Sequence, residues 1–167
     1  GEINMLTKIS LTFGSRQILQ SIIDKYPERH FKLMQATTHT RKLALFDLSG
    51  KDTIFQSPVK LTTLDSTLDA QLNGMFYYQS FQVNGDRQKL LYNTLQKVLT
   101  EPADMNGGYM LSVDNKAEAT TLVLLTAWAD FEALTAWKES ETFTSLKNFT
   151  SMGSDNSYYD EIYKPIF

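Results

Sequence analysis

The sequence predicts an α+β fold whose main sheet is closed into a barrel, and three observations predict it. Residues 71–167 carry the order strand, helix, strand, strand, helix, strand. Two of those strands, Met75–Val83 and Thr120–Trp128, are apolar on both alternating sets of side chains. Residues 1–70 supply a further β-α-β-β run. An antiparallel sheet with helices on one face can leave its other face wet. Here the second face is apolar too, so something must cover it. A second sheet is the simplest cover, and it makes a barrel. The second sheet comes either from another copy of the chain, as a homodimer, or from residues 1–70, as a single-chain pseudo-dimer.

Met5–Phe13 alternates apolar and polar residues, as a half-buried strand does. Gly14 and Ser15 break it, and Ser15 is the N-cap expected for a helix over Arg16–Tyr26 with Ile18, Leu19, Ile22 and Ile23 in one apolar stripe. Pro27 ends that helix. Phe31–Thr37 and Lys42–Leu48 read as strands, Ser49-Gly50-Lys51-Asp52 as a turn, and Thr53–Ser57 as a further short strand. Leu61–Leu72 is polar with scattered leucines and reads as a short helix or connector, placing a boundary near residue 70. The expected division is therefore 1–70 and 71–167.

In the second part the strands are Met75–Val83, Gly108–Val113, Thr120–Trp128 and Tyr158–Lys164. Asp86–Leu99 is a helix with Leu90, Leu91, Leu95 and Val98 at helical spacing, followed by Pro102. Asp130 is a good N-cap for a second helix to about Ser140, with a looser continuation to Phe149. Asp155-Asn156-Ser157 reads as a turn. This order is the split βαβ, ferredoxin-like unit.

Composition narrows the function classes. Hydrophobic residues make up 42% of the 167, enough for a packed core. The net charge of −3 argues against a general nucleic-acid binder, which needs a basic face. The chain has no cysteine, which removes disulfides, thiolate metal sites and a cysteine nucleophile and fits a cytoplasmic location. No apolar run reaches the ~18–20 residues that span a bilayer, so no membrane partner is expected. Serine-hydrolase elbows, P-loops, dinucleotide fingerprints and zinc-protease motifs do not occur.

The stretch Leu125-Thr-Ala-Trp128-Ala-Asp130-Phe131-Glu-Ala-Leu134-Thr-Ala-Trp137-Lys138 runs from a strand into a helix and is followed by Ser140-Glu141-Thr142-Phe143. It resembles the antibiotic-biosynthesis-monooxygenase (ABM) superfamily of ferredoxin-like dimeric α/β barrels, and within it the haem-degrading monooxygenases. Gly107-Gly108-Tyr109 looks like the Gly-rich strand entry of the haem-degrading family, and the tail Ser157–Ile166 resembles the C-terminus of a two-part branch that contains Bacillus-type haem monooxygenases and a staphylococcal signal-transduction protein.

The resemblance implies three site positions. The family's helix tryptophan falls on Trp137. Its first-strand asparagine falls on Tyr78, or on Gln79 one residue along. Its axial histidine, ten residues after the tryptophan, falls on Lys147. Lysine is an ammonium at neutral pH and must lose a proton to bind iron. Lys147 either holds an anionic group as a charge-assisted donor or is solvated. The remaining ligand candidates for haem are His30 and His39 at the barrel mouth, or Tyr77 and Tyr78 as tyrosinates. The resemblance thus implies a monooxygenase-like oxidoreductase with a small molecule, haem among the options, in its barrel. The alternative is a non-catalytic small-molecule-binding, regulatory or stress-response barrel.

Overall fold

A computed structural model describes residues 5–114, 121–151 and 156–166. The strands are β1 (Lys8–Phe13), β2 (Phe31–Ala36), β3 (Leu43–Asp47), β4 (Val59–Ser66), β5 (Met75–Val83), β6 (Gly107–Val113), β7 (Thr121–Trp128) and β8 (Asn156–Pro165). The helices are α1 (Arg16–Lys25), α2 (Arg87–Thr100), α3 (Phe131–Lys138) and α4 (Glu141–Thr144), with a 3-10 turn over Lys147–Phe149.

All eight strands form one closed antiparallel barrel in the order β1-β3-β2-β8-β5-β7-β6-β4. The ring divides into two runs of equal topology, β4-β1-β3-β2 and β8-β5-β7-β6, each a ferredoxin-like sheet. They meet where β2 pairs with β8 (Ala36 opposite Tyr163) and where β4 pairs with β6 (Leu61 opposite Val113). The second apolar face of β5 and β7 is therefore covered by strands of the same chain.

Alternation along each strand separates two layers. Phe76 and Tyr78 on β5, and Val123, Leu125 and Ala127 on β7, point inward with Ile9, Leu11, Met34, Phe46, Tyr109 and Tyr163. The interior is packed by these side chains. Phe46 sits edge-on to Phe76 at 5.2 Å and to Tyr163 at 5.5 Å, so one ring from the first half is wedged into the second. Tyr77, Phe81, Leu122, Leu124 and Trp128 point outward under α2, α3 and α4.

The first half lacks the second helix of its unit. Residues 48–58 take its place, with Phe55 packed against Phe31 and buried with Leu19 and Leu45 beneath α1. The Arg29 guanidinium pins this segment. It pairs with buried Asp47 at 2.9 Å and donates to the Asp52 carbonyl at 2.8 Å.

Three expectations are corrected. Thr53–Ser57 is not a strand, because its backbone runs outside the ladder so that Phe55 can roof the sheet. Leu61–Leu72 is not a helix. Residues 59–66 are β4, with Leu61 inward and Lys60 and Leu64 outward, and an irregularity between Thr63 and Asp65 blurs the period-two pattern. Asn156 and Ser157 belong to β8, opposite Val83 and Gln82, rather than to a turn; Asp155 and Thr120 lie outside the described residues. Among the described residues no helix is long and apolar enough to cross a membrane.

Candidate functional site

The outer face of the second half holds a polar cluster under a helix. Its floor is β5 and β8, paired so that Gln79 lies opposite Asp160, Phe81 opposite Tyr158 and Tyr77 opposite Ile162. Tyr77, Gln79 and Phe81 share one face by alternation, as do Tyr158 and Asp160. The roof is α3. Asp130 caps it, its carboxylate accepting from the Ala133 amide at 2.9 Å. Just past its other end, the Ser140 hydroxyl donates to the Trp137 carbonyl at 2.6 Å and accepts from the Phe143 amide. These two caps fix the length of α3 and hence the height of Trp137.

Trp137 is wedged between Trp128 (5.2 Å between ring centres), Phe143 (5.1 Å) and the edge of Tyr77 (6.4 Å). The Lys138 ammonium stands 5.1 Å over the Tyr77 ring. Below it, Tyr77 donates to Asp160 Oδ2 at 2.5 Å, Tyr158 donates to the same oxygen at 2.9 Å, and Gln79 Nε2 donates to the Tyr158 oxygen at 3.1 Å. Two buried atoms remain without a partner: Gln79 Oε1, an acceptor, and Trp137 Nε1, a donor. Trp128 shows the contrast, because its Nε1 is satisfied by Thr126 Oγ1 at 2.8 Å. An unpaired buried polar atom costs about 1–3 kcal/mol, and these two, one acceptor and one donor, are both fully or nearly fully buried.

Electrostatics keeps the phenols neutral. Burial, followed by its bond to Asp160, drives the Tyr77 hydroxyl far above the ordinary tyrosine range. Burial pushes Tyr158 up to about 12. Both therefore act as donors to Asp160 at neutral pH.

The structure separates some residues that the sequence placed together. Gln79 and Trp137 belong to the same layer. Tyr78 faces the barrel interior, packed against Tyr159. Lys147 is exposed on the 3-10 turn. His30 is exposed and lines a cavity of about 380 Å³ at one end of the barrel with Leu6, Leu72 and Tyr109; His39 is exposed in the β2–β3 loop. Tyr158 and Asp160 were not singled out from sequence. Their signal was the period-two spacing Tyr158-x-Asp160 facing Gln79-x-Phe81, with Tyr77 one same-face position further along β5, which becomes visible only once the β5–β8 register is known.

Tyr78 gives a pH prediction. Burial pushes its hydroxyl up to about 12, whereas an unfolded tyrosine ionises near 10. Above pH ~10 the unfolded chain binds fewer protons than the folded one, so stability is intact below that pH and falls as pH rises toward 12. Tyr78→Phe is expected to escape about 2–3 kcal/mol of that loss. Denaturant midpoints below pH ~10 and near pH ~12 check it; an equal alkaline loss in both proteins would refute it.

No protein-family profile matches the sequence. The fold is the ferredoxin-fold barrel seen in ABM-related proteins. Similar solved structures include a major regulator of staphylococcal pathogenesis, at 19% identity and TM-score 0.75 over 96% of this chain and 99% of that one. They also include an ABM-related ferredoxin-fold protein from Listeria monocytogenes, at 15% and 0.72 over 98% and 96%. A haem-degrading enzyme from Listeria monocytogenes matches at 13% and 0.72 over 94% and 98%. At these identities the likeness is one of fold.

Proposed function

We propose that this chain is an ABM-type monooxygenase-like protein that takes a planar aromatic small molecule between α3 and the β5–β8 surface. One observation carries the reading: the unpartnered Gln79 Oε1 and Trp137 Nε1 in a single aromatic-walled layer. A ligand bearing a hydroxyl donor and a carbonyl or ether acceptor complements both. Tyr77, Trp137 and Phe143 supply ring contacts, and Lys138 and Asp160 stand at the exposed rim.

Haem fits these residues poorly. The position where the resemblance calls for an axial histidine holds an exposed lysine, and both histidines are in the first half. Asp160, oriented by the two phenols that donate to it, accepts a hydrogen bond from a hydroxyl of the bound aromatic and so fixes its orientation. The change of Lys147 from the family's histidine also favours a second reading, binding without turnover.

The test is a titration of the protein with hydroxylated polycyclic aromatics, following tryptophan fluorescence, alongside haemin. Saturable quenching is expected, weakened about three- to ten-fold in Trp137→Phe, which keeps the ring contact and removes the donor. The haemin Soret band is expected to stay unshifted. Oxygen uptake with the bound aromatic separates turnover from binding alone. Stoichiometric haemin binding with a shifted band, or quenching unaffected by Trp137→Phe, overturns the proposal.

A further inference from the structure

The first half contains a second constellation, independent of the site under α3. Where residues 48–58 replace a helix, they leave a cavity of about 190 Å³ against the outer face of β1 and β4. Its lining includes Lys8 and Ser10 from β1, Lys60 from β4, Lys51 and Asp52 from the covering segment, and Asp114 beyond β6. Ser10 lies between Ile9 and Leu11, both in the barrel interior, so its hydroxyl points outward onto this face. It is 6% exposed, and its Oγ has no partner. A buried serine hydroxyl without a partner beside a lysine-lined cavity is the signature of a missing acceptor.

The charges define the acceptor's sign. Lys8 is paired with Asp52, and Asp114 is engaged by the Thr62 hydroxyl at 2.8 and 3.0 Å. Among the described residues Lys51 and Lys60 form no ion pair, and Lys60 stands directly across the β1–β4 ladder from Ser10. The cavity therefore carries three ammonium groups against two carboxylates, with Lys51 and Lys60 outside any ion pair, the Lys60 charge still felt by Asp52, and the Ser10 hydroxyl unpartnered. A tetrahedral oxyanion presents charged acceptor oxygens on several sides and can take all three donors at once. Lys8 and Lys60 flank Ser10 on this face, and both are exposed.

We propose that this pocket binds a phosphate group, either inorganic phosphate or the phosphate of a small phosphomonoester, with Lys60, Lys51 and Ser10 as its donors. Amide-resolved NMR titration with inorganic phosphate, glycerol phosphate and acetate tests it at low ionic strength, with melting temperature as a second readout. Phosphate is expected to shift the amides of Ser10, Asp52, Thr53 and Lys60 saturably, with a millimolar dissociation constant, and to raise the melting temperature. Lys60→Met should weaken binding about ten-fold or more. Ser10→Ala should melt higher than the parent without phosphate, since it removes an unsatisfied buried hydroxyl, and should lose most of the phosphate-dependent rise. Tighter binding of the phosphomonoester than of phosphate identifies the larger source; equal binding identifies the free ion. Non-saturable or dispersed shifts, acetate binding as tight as phosphate, or an unchanged response in Lys60→Met and Ser10→Ala overturns the assignment.

Discussion

Phe46→Ala is expected to lower stability by about 3–5 kcal/mol, the range for truncating a buried aromatic. The ring is fully buried at 0% exposure and is held edge-on by Phe76 and Tyr163 of the other half. Its removal opens a void that neither sheet can close alone, because both are fixed by the seams at β2–β8 and β4–β6. The loss should appear as a single transition rather than two. Both tryptophans lie in the second half, so their fluorescence reports that half while far-UV circular dichroism reports the whole. Coincident curves with a lowered midpoint are the expected outcome. A variant in which the tryptophan signal keeps its parent midpoint would show that the halves fold separately.

The second large effect is expected at Gly74, immediately before β5. Its φ of +83° lies in the left-handed region, and a Cβ there would stand 2.2 Å from the Trp128 carbonyl oxygen. Gly74→Ala combines an unfavourable backbone conformation with a collision against backbone, which cannot rotate away. The cost should be about 3 kcal/mol or more. It should also disturb the proposed site, since Met75 pairs with Trp128 and any relief moves β5 along β7, and with it Tyr77 and Gln79. Urea denaturation gives the first effect, and the weakening of aromatic-ligand quenching gives the second. A parent-like midpoint in Gly74→Ala would contradict the close approach.

Much of the architecture was legible because the physics that sets it is local and repetitive. The double-sided apolar character of β5 and β7 required a second sheet, and the ring of eight strands supplies it. The caps at Ser15 and Asp130 stand where their side-chain oxygens suggested, accepting from Ile18 and Ala133. The fourth strand was lost because Lys60, Thr62, Thr63 and Asp65 give β4 a polar surface and an irregular register. Its identity comes from pairing partners far away in the chain, which no local pattern encodes. The same holds for the candidate site. Trp137 and Gln79 could be picked out singly, but the choice between Tyr78 and Gln79 depended on which face of β5 lies under α3, a question of one residue in register. Tyr158 and Asp160 enter only through the β5–β8 pairing.

The unequal roofing of the two sheets sets a stoichiometry. A ring built from two identical ferredoxin-like chains repeats every cleft on opposite sides, and any substitution alters both copies at once. In this polypeptide one sheet carries α3 and α4 above its polar floor, while at the equivalent place its counterpart, roofed by α1, has the Phe55 segment instead of a second helix. Calorimetry should therefore count a single aromatic guest per chain, with no second identical event to couple to it. Freed from mirror-image constraint, the two sides of the ring are able to specialise, one for a greasy planar guest and the other for a charged one.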